Sequence, residues 1–335
     1  AKVRDTRAWA GFLDEAAQTW APKSDALISS HCWPRFGTSE VVGSLTAQRD
    51  NYRYLHDQSV RLMNQGATQA EIAEALVQPP ALAREWFNHG YYGTYSHNSK
   101  AVYQFYLGWY DGNPANLQPH PPVERARRMV AALGGAKKVL ATARKAMAAG
   151  DYRWSSDLLN QLVFSDPANK DARALLADSL EQQGYQAESG IWRNQFLMAA
   201  KELREGYKGG ALSAQGADMI AAVPTRELLD TASTRFDPSK TGGRKLGINL
   251  VLTDRKEQAS VELTETTMLG RMTPIASPQA TLTGPRRLLL GLLFMKLPLE
   301  QLEMAGLKVE GDRAAVETWL NALDPVPAGF PIVEP

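Results

Sequence analysis

Apolar positions recur along this chain with two different periods, and the change of period marks out its parts. The amino terminus runs straight into an amphipathic helix with Trp9, Leu13, Ala16 and Trp20 on one face. Asp25 to Ser30 (DALISS) reads as a short buried strand, and the loop His31-Cys32-Trp33-Pro34-Arg35-Phe36-Gly37 follows it. Helix, strand and loop in that order suggest an α/β layer, where ligands sit beyond the carboxyl ends of strands. One strand makes no sheet, so its partners are missing from this chain or lie far downstream, and the first is expected.

From Ser39 to about Tyr207 the period is helical almost throughout. Ser39 predicts the cap of a long helix to Gln65, and Thr68-Gln69-Ala70-Glu71 reads as a capping box ahead of Ile72, Ala75 and Leu76. Pro79-Pro80 ends that helix, and Ala81 to Asn88 starts the next. A loop from Gly93 to Ser99 opens into a helix from about Lys100, which Gly112-Asn113-Pro114 stops. Pro114 to Pro122 is a proline-spaced connector, and Val123 to Met147 gives two helices parted by Gly134-Gly135. Gly150 and Gly184 stand 34 positions apart, with one stripe at Leu158, Leu159, Leu162 and Val163 and another at Ala174, Leu175 and Leu180. That is the layout of a tetratricopeptide-like hairpin, expected here as part of a packed helical lobe.

From Ser213 the character changes. Two short helices, to Val223 and then Thr225 to Arg235, lead through the turn-rich Asp237 to Gly243 into strict alternation. Leu246, Ile248, Leu250 and Leu252 face one way, and Val261 and Leu263 answer them after a turn near Arg255-Lys256, as in a hairpin. Strands at Ala280 to Thr283 and Leu307 to Glu310 each precede a helix, the first nearly all apolar (Arg286 to Met295), the second through Trp319 and Leu323. Helices laid on an antiparallel sheet make an α+β domain, and the apolar helix is expected as core, with the wall of a lipid-sized cavity as the alternative. The fold class is therefore mostly α followed by α+β.

Composition narrows the functional classes without choosing one. The 335 residues suffice for two or three domains, and 44% apolar with 22% charged residues is ordinary for a soluble globular protein. A net charge of +1 gives no reason to expect nucleic acid or an anionic membrane surface as partner. The single cysteine, Cys32, excludes an internal disulfide. The longest apolar run, Leu288 to Met295, falls far short of the roughly 18 residues that a membrane span needs. The chain opens at Ala1 with no initiator methionine and no apolar signal region, so a removed leader or a longer parent protein is expected.

Candidate chemistry gathers in one stretch, Gly90 to Asn116 (GYYGTYSHNSKAVYQFYLGWYDGNPAN). It sets eight aromatic residues around His97 and holds no acidic residue before Asp111. A polar loop opening a helix suits an anion, and aromatics beside it suit an apolar tail. Periodicity by itself favours the plainer reading, in which these aromatics are core and His97 is a cap. The five histidines, His31, His56, His89, His97 and His120, include no local metal pair, and there is no His-Glu-x-x-His or Cys-x-x-Cys. His56 and His120 read as surface or structural, and His89 as a cation at a helix end. His31 follows a strand in a loop stiffened by Trp33, Pro34 and Gly37, where a metal ligand can be held rigidly.

Two motifs carry a family resemblance: Ser30-His31-Cys32-Trp33-Pro34-x-x-Gly37 and GYYGTYSHNSKAVYQFYLGWYDGNPA. With the order of the three regions, the chain resembles the later part of the alkyl sulfatases, zinc enzymes of the metallo-β-lactamase fold that hydrolyse alkyl sulfates such as dodecyl sulfate. The resemblance implies that residues 1–40 end the metallo-β-lactamase domain, that 41–210 form the helical dimerisation domain, and that 213–335 form a sterol-carrier-like domain. It implies zinc as the metal and one ligand to it here, His31, the others lying in an upstream His-x-His-x-Asp-His motif and later positions that this chain lacks. It implies that Arg4, His97 and Tyr103 reach the sulfate, with a histidine the natural proton donor, and that the chain forms a homodimer. A periplasmic or secreted location is expected over a cytoplasmic one. A non-catalytic helical interaction module and a lipid-binding carrier stay open as other readings.

Overall fold

The computed structural model describes residues 2–31, 33–209, 217–325 and 329–335. It divides into two compact units, Ala1–Lys208 with Pro331–Pro335, and Gly209–Phe330.

In the first unit, helix α1 (Thr6–Thr19) is capped by Asp5, whose carboxylate accepts the Ala8 N–H. Its Leu13, Ala16 and Ala17 pack against Val41 and Leu45 of α2 (Thr38–Met63), and Arg49 of α2 bridges to Asp14 at 2.7 Å. Between these helices β1 (Ala26–Leu27) pairs antiparallel with β2 (Arg35–Phe36). The buried strand expected over Asp25 to Ser30 is thus a two-residue ribbon, and Ile28 is 78% exposed. An apolar run specifies burial only where a partner covers it, and here Leu27 packs against the α1–α2 core while Ala26 and Ile28 stay exposed.

The cap of α2 is Gly37 rather than Ser39, and the Thr38 hydroxyl turns back to the Ser24 carbonyl at 3.1 Å. The capping box forms as expected at the start of α3 (Gln69–Ala75): the Thr68 hydroxyl takes the Glu71 N–H, and the Glu71 carboxylate takes the Thr68 N–H. Helix α4 (Pro80–Ala83) is a single turn, and α5 (Tyr95–Leu107) starts at Tyr95 instead of near Lys100 and stops at Gly108. Helices α6 (Pro122–Ala132) and α7 (Ala136–Ala148) flank Gly134-Gly135 as the sequence suggests. With α8 (Tyr152–Ser165), α9 (Lys170–Gln186) and α10 (Gly190–Glu205) they enclose a core that includes Val139, Leu159, Leu162, Val163, Leu176 and Leu203.

Gly184 is not the turn that its spacing from Gly150 suggests. It lies buried inside α9, where an added Cβ would stand 3.0 Å from the Leu197 side chain. The missing side chain lets α9 and α10 approach closely. Residues 331–335 finish this unit: Glu202 accepts the N–H groups of Ile332 (2.7 Å) and Val333 (3.0 Å), and Arg173 pairs with Glu334 while also donating to the Leu203 carbonyl at 2.9 Å.

The second unit opens with α11 (Ala217–Ala222) and α12 (Thr225–Ser233). Its sheet contains β3 (Leu246–Leu252), β4 (Glu257–Leu263), β5 (Met268–Arg271), β6 (Ala280–Gly284) and β7 (Lys308–Gly311), in the order β5-β4-β3-β6-β7. The expected hairpin is there, with Leu246 opposite Leu263 and Leu252 opposite Glu257. The sheet is mixed, not antiparallel, because β6 runs parallel to β3. Residues 272–279 carry the chain back across one face to reach β6, pinned by the Asn249 amide, which exchanges two hydrogen bonds with the Ile275 backbone (2.8 and 2.9 Å), and by the Ser260 hydroxyl on the Thr273 carbonyl at 2.8 Å.

Helices α13 (Arg286–Leu293), α14 (Leu299–Met304) and α15 (Arg313–Asn321) share with the sheet a core that includes Ile248, Leu250, Val261, Leu293, Val316 and Trp319. The apolar helix α13 is core. The cavity beside it, lined by Leu250, Leu282, Leu289 and Leu307 among others, is about 10 Å³, room for about one water and none for an alkyl chain. Arg286, which heads this apolar helix, is buried because its guanidinium donates to the carbonyls of Ala221 (2.6 Å) and Val223 and to the Thr225 hydroxyl (3.2 Å). Burial, then the nearby Arg255, hold its pKa below the usual arginine range. Among the described residues no helix is long and apolar enough to cross a membrane.

Candidate functional site

The aromatic stretch folds as a loop that hands over to α5 at Thr94, whose hydroxyl accepts the His97 N–H at 2.9 Å. Beside this start the Tyr95 hydroxyl donates to the Asn51 side chain on α2, and burial pushes its phenol above the usual tyrosine range. The loop is then fastened to the start of α10 at successive points. The Tyr91 carbonyl accepts the Gly190 N–H at 2.8 Å, the Tyr92 carbonyl accepts the Ser189 hydroxyl at 2.6 Å, and the Trp192 indole N–H donates to His97 Nδ1 at 3.0 Å. The Lys100 ammonium lies 5.7 Å from the centre of the Trp192 ring, a cation–π contact one turn along α5 from His97. His97 therefore sits, exposed, on a seam between α5 and α10.

His89 closes the same seam from the other side. Its Nε2 faces the Ala83 carbonyl at 2.8 Å and its Nδ1 faces the Glu188 carboxylate at 3.0 Å, two acceptors that both call for a ring proton. The carbonyl belongs to the last residue of α4, so His89 does meet a helix end, but that of a helix ending at Ala83 rather than one running from Ala81 to Asn88. The Glu188 contact first, and the Ala83 carbonyl second, raise its pKa above the ordinary 6.5. A raised folded value makes this tie fully present below the unfolded pKa and lost as pH climbs through the folded one. A histidine titration by NMR is expected to place the His89 midpoint above that of free imidazole, and Glu188→Gln to bring it down. An unmoved midpoint in the Glu188→Gln chain would refute the assignment.

The other residues singled out by sequence make none of the seam hydrogen bonds just described. Tyr103 lies on α5 but is only 4% exposed. Six positions after His97, it points about 120° away around the helix. His31 is exposed in the loop after β1, and Arg4 is exposed just before the Asp5 cap of α1. No group of three histidine, cysteine, aspartate or glutamate side chains among the described residues is placed to hold a metal ion. Cys32 lies outside the described residues. The side chains described here do not by themselves fit a zinc centre, since one imidazole does not make a site.

Two residues that matter here were not visible in sequence. His56, read as surface or structural, is 6% exposed, with Nδ1 on the Asp57 carboxylate and Nε2 on the Tyr106 hydroxyl, both at 2.7 Å. Both ring nitrogens are thus engaged, and α2 is tied to α5 through Tyr106. Trp192 comes from a helix distant in sequence, and no local pattern announces it. The aromatics themselves depart from the core reading, because Tyr91, Tyr92, Phe105, Tyr106 and Trp109 all stay exposed. The buried side of α5 needs only Ser99, Val102 and Tyr103, which leaves the rest outside. Past the helix, Trp109, Tyr110, Asp111 and Arg125 border an open hollow of about 170 Å³.

Comparison with known proteins gives this arrangement a family. Residues 68–206 match the alkyl sulfatase dimerisation family, and residues 213–335 match the alkyl sulfatase C-terminal family. The chain belongs to the alkyl sulfatase family. Over its whole length it is 40% identical to an alkyl/aryl-sulfatase of Saccharomyces cerevisiae, covering 52% of that protein. It is 41% identical, again over its whole length, to an (R)-specific secondary-alkylsulfatase of a Pseudomonas species, covering 51% of it. The structure of a stereoselective inverting sec-alkylsulfatase from Pseudomonas superposes on all of this chain with a TM-score of 0.94 at 39% identity, covering 53% of that protein. The chain thus spans about half the length of the relatives it matches.

Proposed function

We propose that this chain works in the hydrolysis of alkyl sulfate esters to an alcohol and inorganic sulfate. The observation that carries the reading is the superposition of every part of the chain on a sec-alkylsulfatase at a TM-score of 0.94. The seam supports it chemically. An alkyl sulfate has a charged head and a greasy tail, and here an exposed imidazole and the Lys100 ammonium share the Trp192 indole, while the loop leading into α5 leaves the rings of Tyr91 and Tyr92 exposed. In this reading His97 meets the sulfate oxygens, and the rings wall the path of the tail. Zinc, when bound, would supply activated water; of the ligands for it, His31 is the one assigned to this chain, and the rest come from residues not in this sequence. The dimerisation family match supports a homodimer built through the helical unit.

The test compares this chain with the protein expressed from its gene with the codons preceding Ala1 included. Sulfate release from dodecyl sulfate and metal content by mass spectrometry are measured on both. The longer protein is expected to bind zinc and release sulfate, and His97→Ala in it to lower kcat by about a hundredfold or more. A longer protein that leaves alkyl sulfates intact would overturn the assignment.

A further inference from the structure

The contact between Trp192 and His97 does more than fasten two helices. An indole nitrogen has a hydrogen to give and no lone pair to accept with, so this 3.0 Å bond has only one polarity. His97 Nδ1 is bare, the ring proton sits on Nε2, and the imidazole is neutral for as long as the bond lasts. Trp192 is itself held in place. Its backbone N–H donates to the Ser189 hydroxyl at 3.3 Å, that hydroxyl is fixed on the Tyr92 carbonyl, and Phe196 meets the indole edge-on at 6.3 Å. From the other helix, Thr94 fixes the first turn of α5 through the His97 backbone N–H.

We infer that Trp192 is a positioning residue for His97: its indole N–H holds the imidazole in the Nε2–H tautomer, so that the ring offers the substrate sulfate an oriented, uncharged N–H donor. The inference rests on the reading above, in which His97 faces the sulfate. It also changes the role expected of that histidine. A neutral ring with Nδ1 occupied by a donor orients and hydrogen-bonds an anion, but it has no spare proton to pass to a leaving group. Positive charge at the seam comes instead from Lys100 on α5, beside the indole, while His89 and Glu188 pair with each other farther along. Binding and orientation are then the work of this imidazole, and any proton that the leaving group takes comes from elsewhere.

Two experiments separate this inference from the reading beneath it. In the chain labelled with ¹⁵N, the His97 ring is expected in a single tautomer at pH 8, with Nε2 protonated and Nδ1 bare. Trp192→Phe, which keeps an aromatic ring and removes the N–H, is expected to let both tautomers appear. Finding Nδ1 protonated in the unaltered chain would overturn the inference whatever the protein does. In the longer protein, Trp192→Phe is expected to lower kcat about tenfold with KM within about twofold, the scale of one orienting hydrogen bond. Added to His97→Gln, it is expected to change nothing further. If His97→Gln is severe and Trp192→Phe is silent, the positioning role alone fails. If His97→Gln leaves activity intact, the placement of His97 at the sulfate fails first and takes the positioning role with it.

Discussion

Trp319→Ala is expected to destabilise the α+β unit by about 4 kcal/mol, whereas Trp319→Phe costs about 1 kcal/mol or less. Trp319 is the largest fully buried side chain of that unit, at 0% exposure, and it joins α15 to the core of the sheet. Truncation to alanine removes its burial and leaves a cavity that the strands on one side and the helices on the other cannot both relax to fill. Phenylalanine keeps most of the ring, and the group it discards is a liability. The indole N–H is buried with no hydrogen-bond partner among the described residues, so losing it breaks no bond and releases a desolvation cost. Two melting curves decide the matter. The alanine variant should melt about 15 °C lower, with the phenylalanine variant close to the parent. Equal losses for both would mean that the indole N–H makes a bond in solution.

Gly311→Val is expected to cost about 3 kcal/mol, and the reason is local to the end of β7. Gly311 has φ +91°, a region that a β-branched residue avoids, and any Cβ there would overlap the Gln279 carbonyl. That carbonyl is already engaged, accepting the Asp312 N–H at 2.7 Å. Asp312 in turn caps α15 through Ala314 and Ala315. A side chain at Gly311 must therefore push apart β6 and β7, the next residue's hydrogen bond and the start of the helix that carries Trp319. Urea unfolding of the variant should show a lower midpoint. Gly306→Val makes the control, since φ is +103° there too but nothing lies within 4 Å of an added Cβ. A loss at Gly311 no greater than that at Gly306 would remove the steric part of the argument.

The sequence was most legible where a local rule settles the structure by itself. The Thr68–Glu71 capping box, the Gly134-Gly135 break and the β3–β4 hairpin each depend on residues close along the chain, and each is explicit in the sequence. Strand β5 and helix α14 span too few residues to show a period. The direction of β6 depends on where residues 272–279 cross the sheet, and no alternation of apolar residues encodes that. Gly184 misled because a glycine at a repeat spacing looks the same whether it makes a turn or a close helix contact. At the candidate site, the aromatic stretch and His97 were legible as motifs. The partnership with Trp192 was not, because the ring that fixes the histidine comes from a helix 95 residues later. Neither was the burial of Tyr103, which follows from the rotation of α5 once it begins at Tyr95.

Residues 331–335 have a mechanical consequence. They lie after the α+β fold in sequence yet are gripped by Arg173 and Glu202 of the helical unit. Tension applied at that tail is borne first by the ion pair and by α9 and α10, while the intervening fold stays slack. In an optical-tweezers pull on those residues, the first rupture belongs to the tail's anchorage, and the sheet begins to unravel only after it lets go.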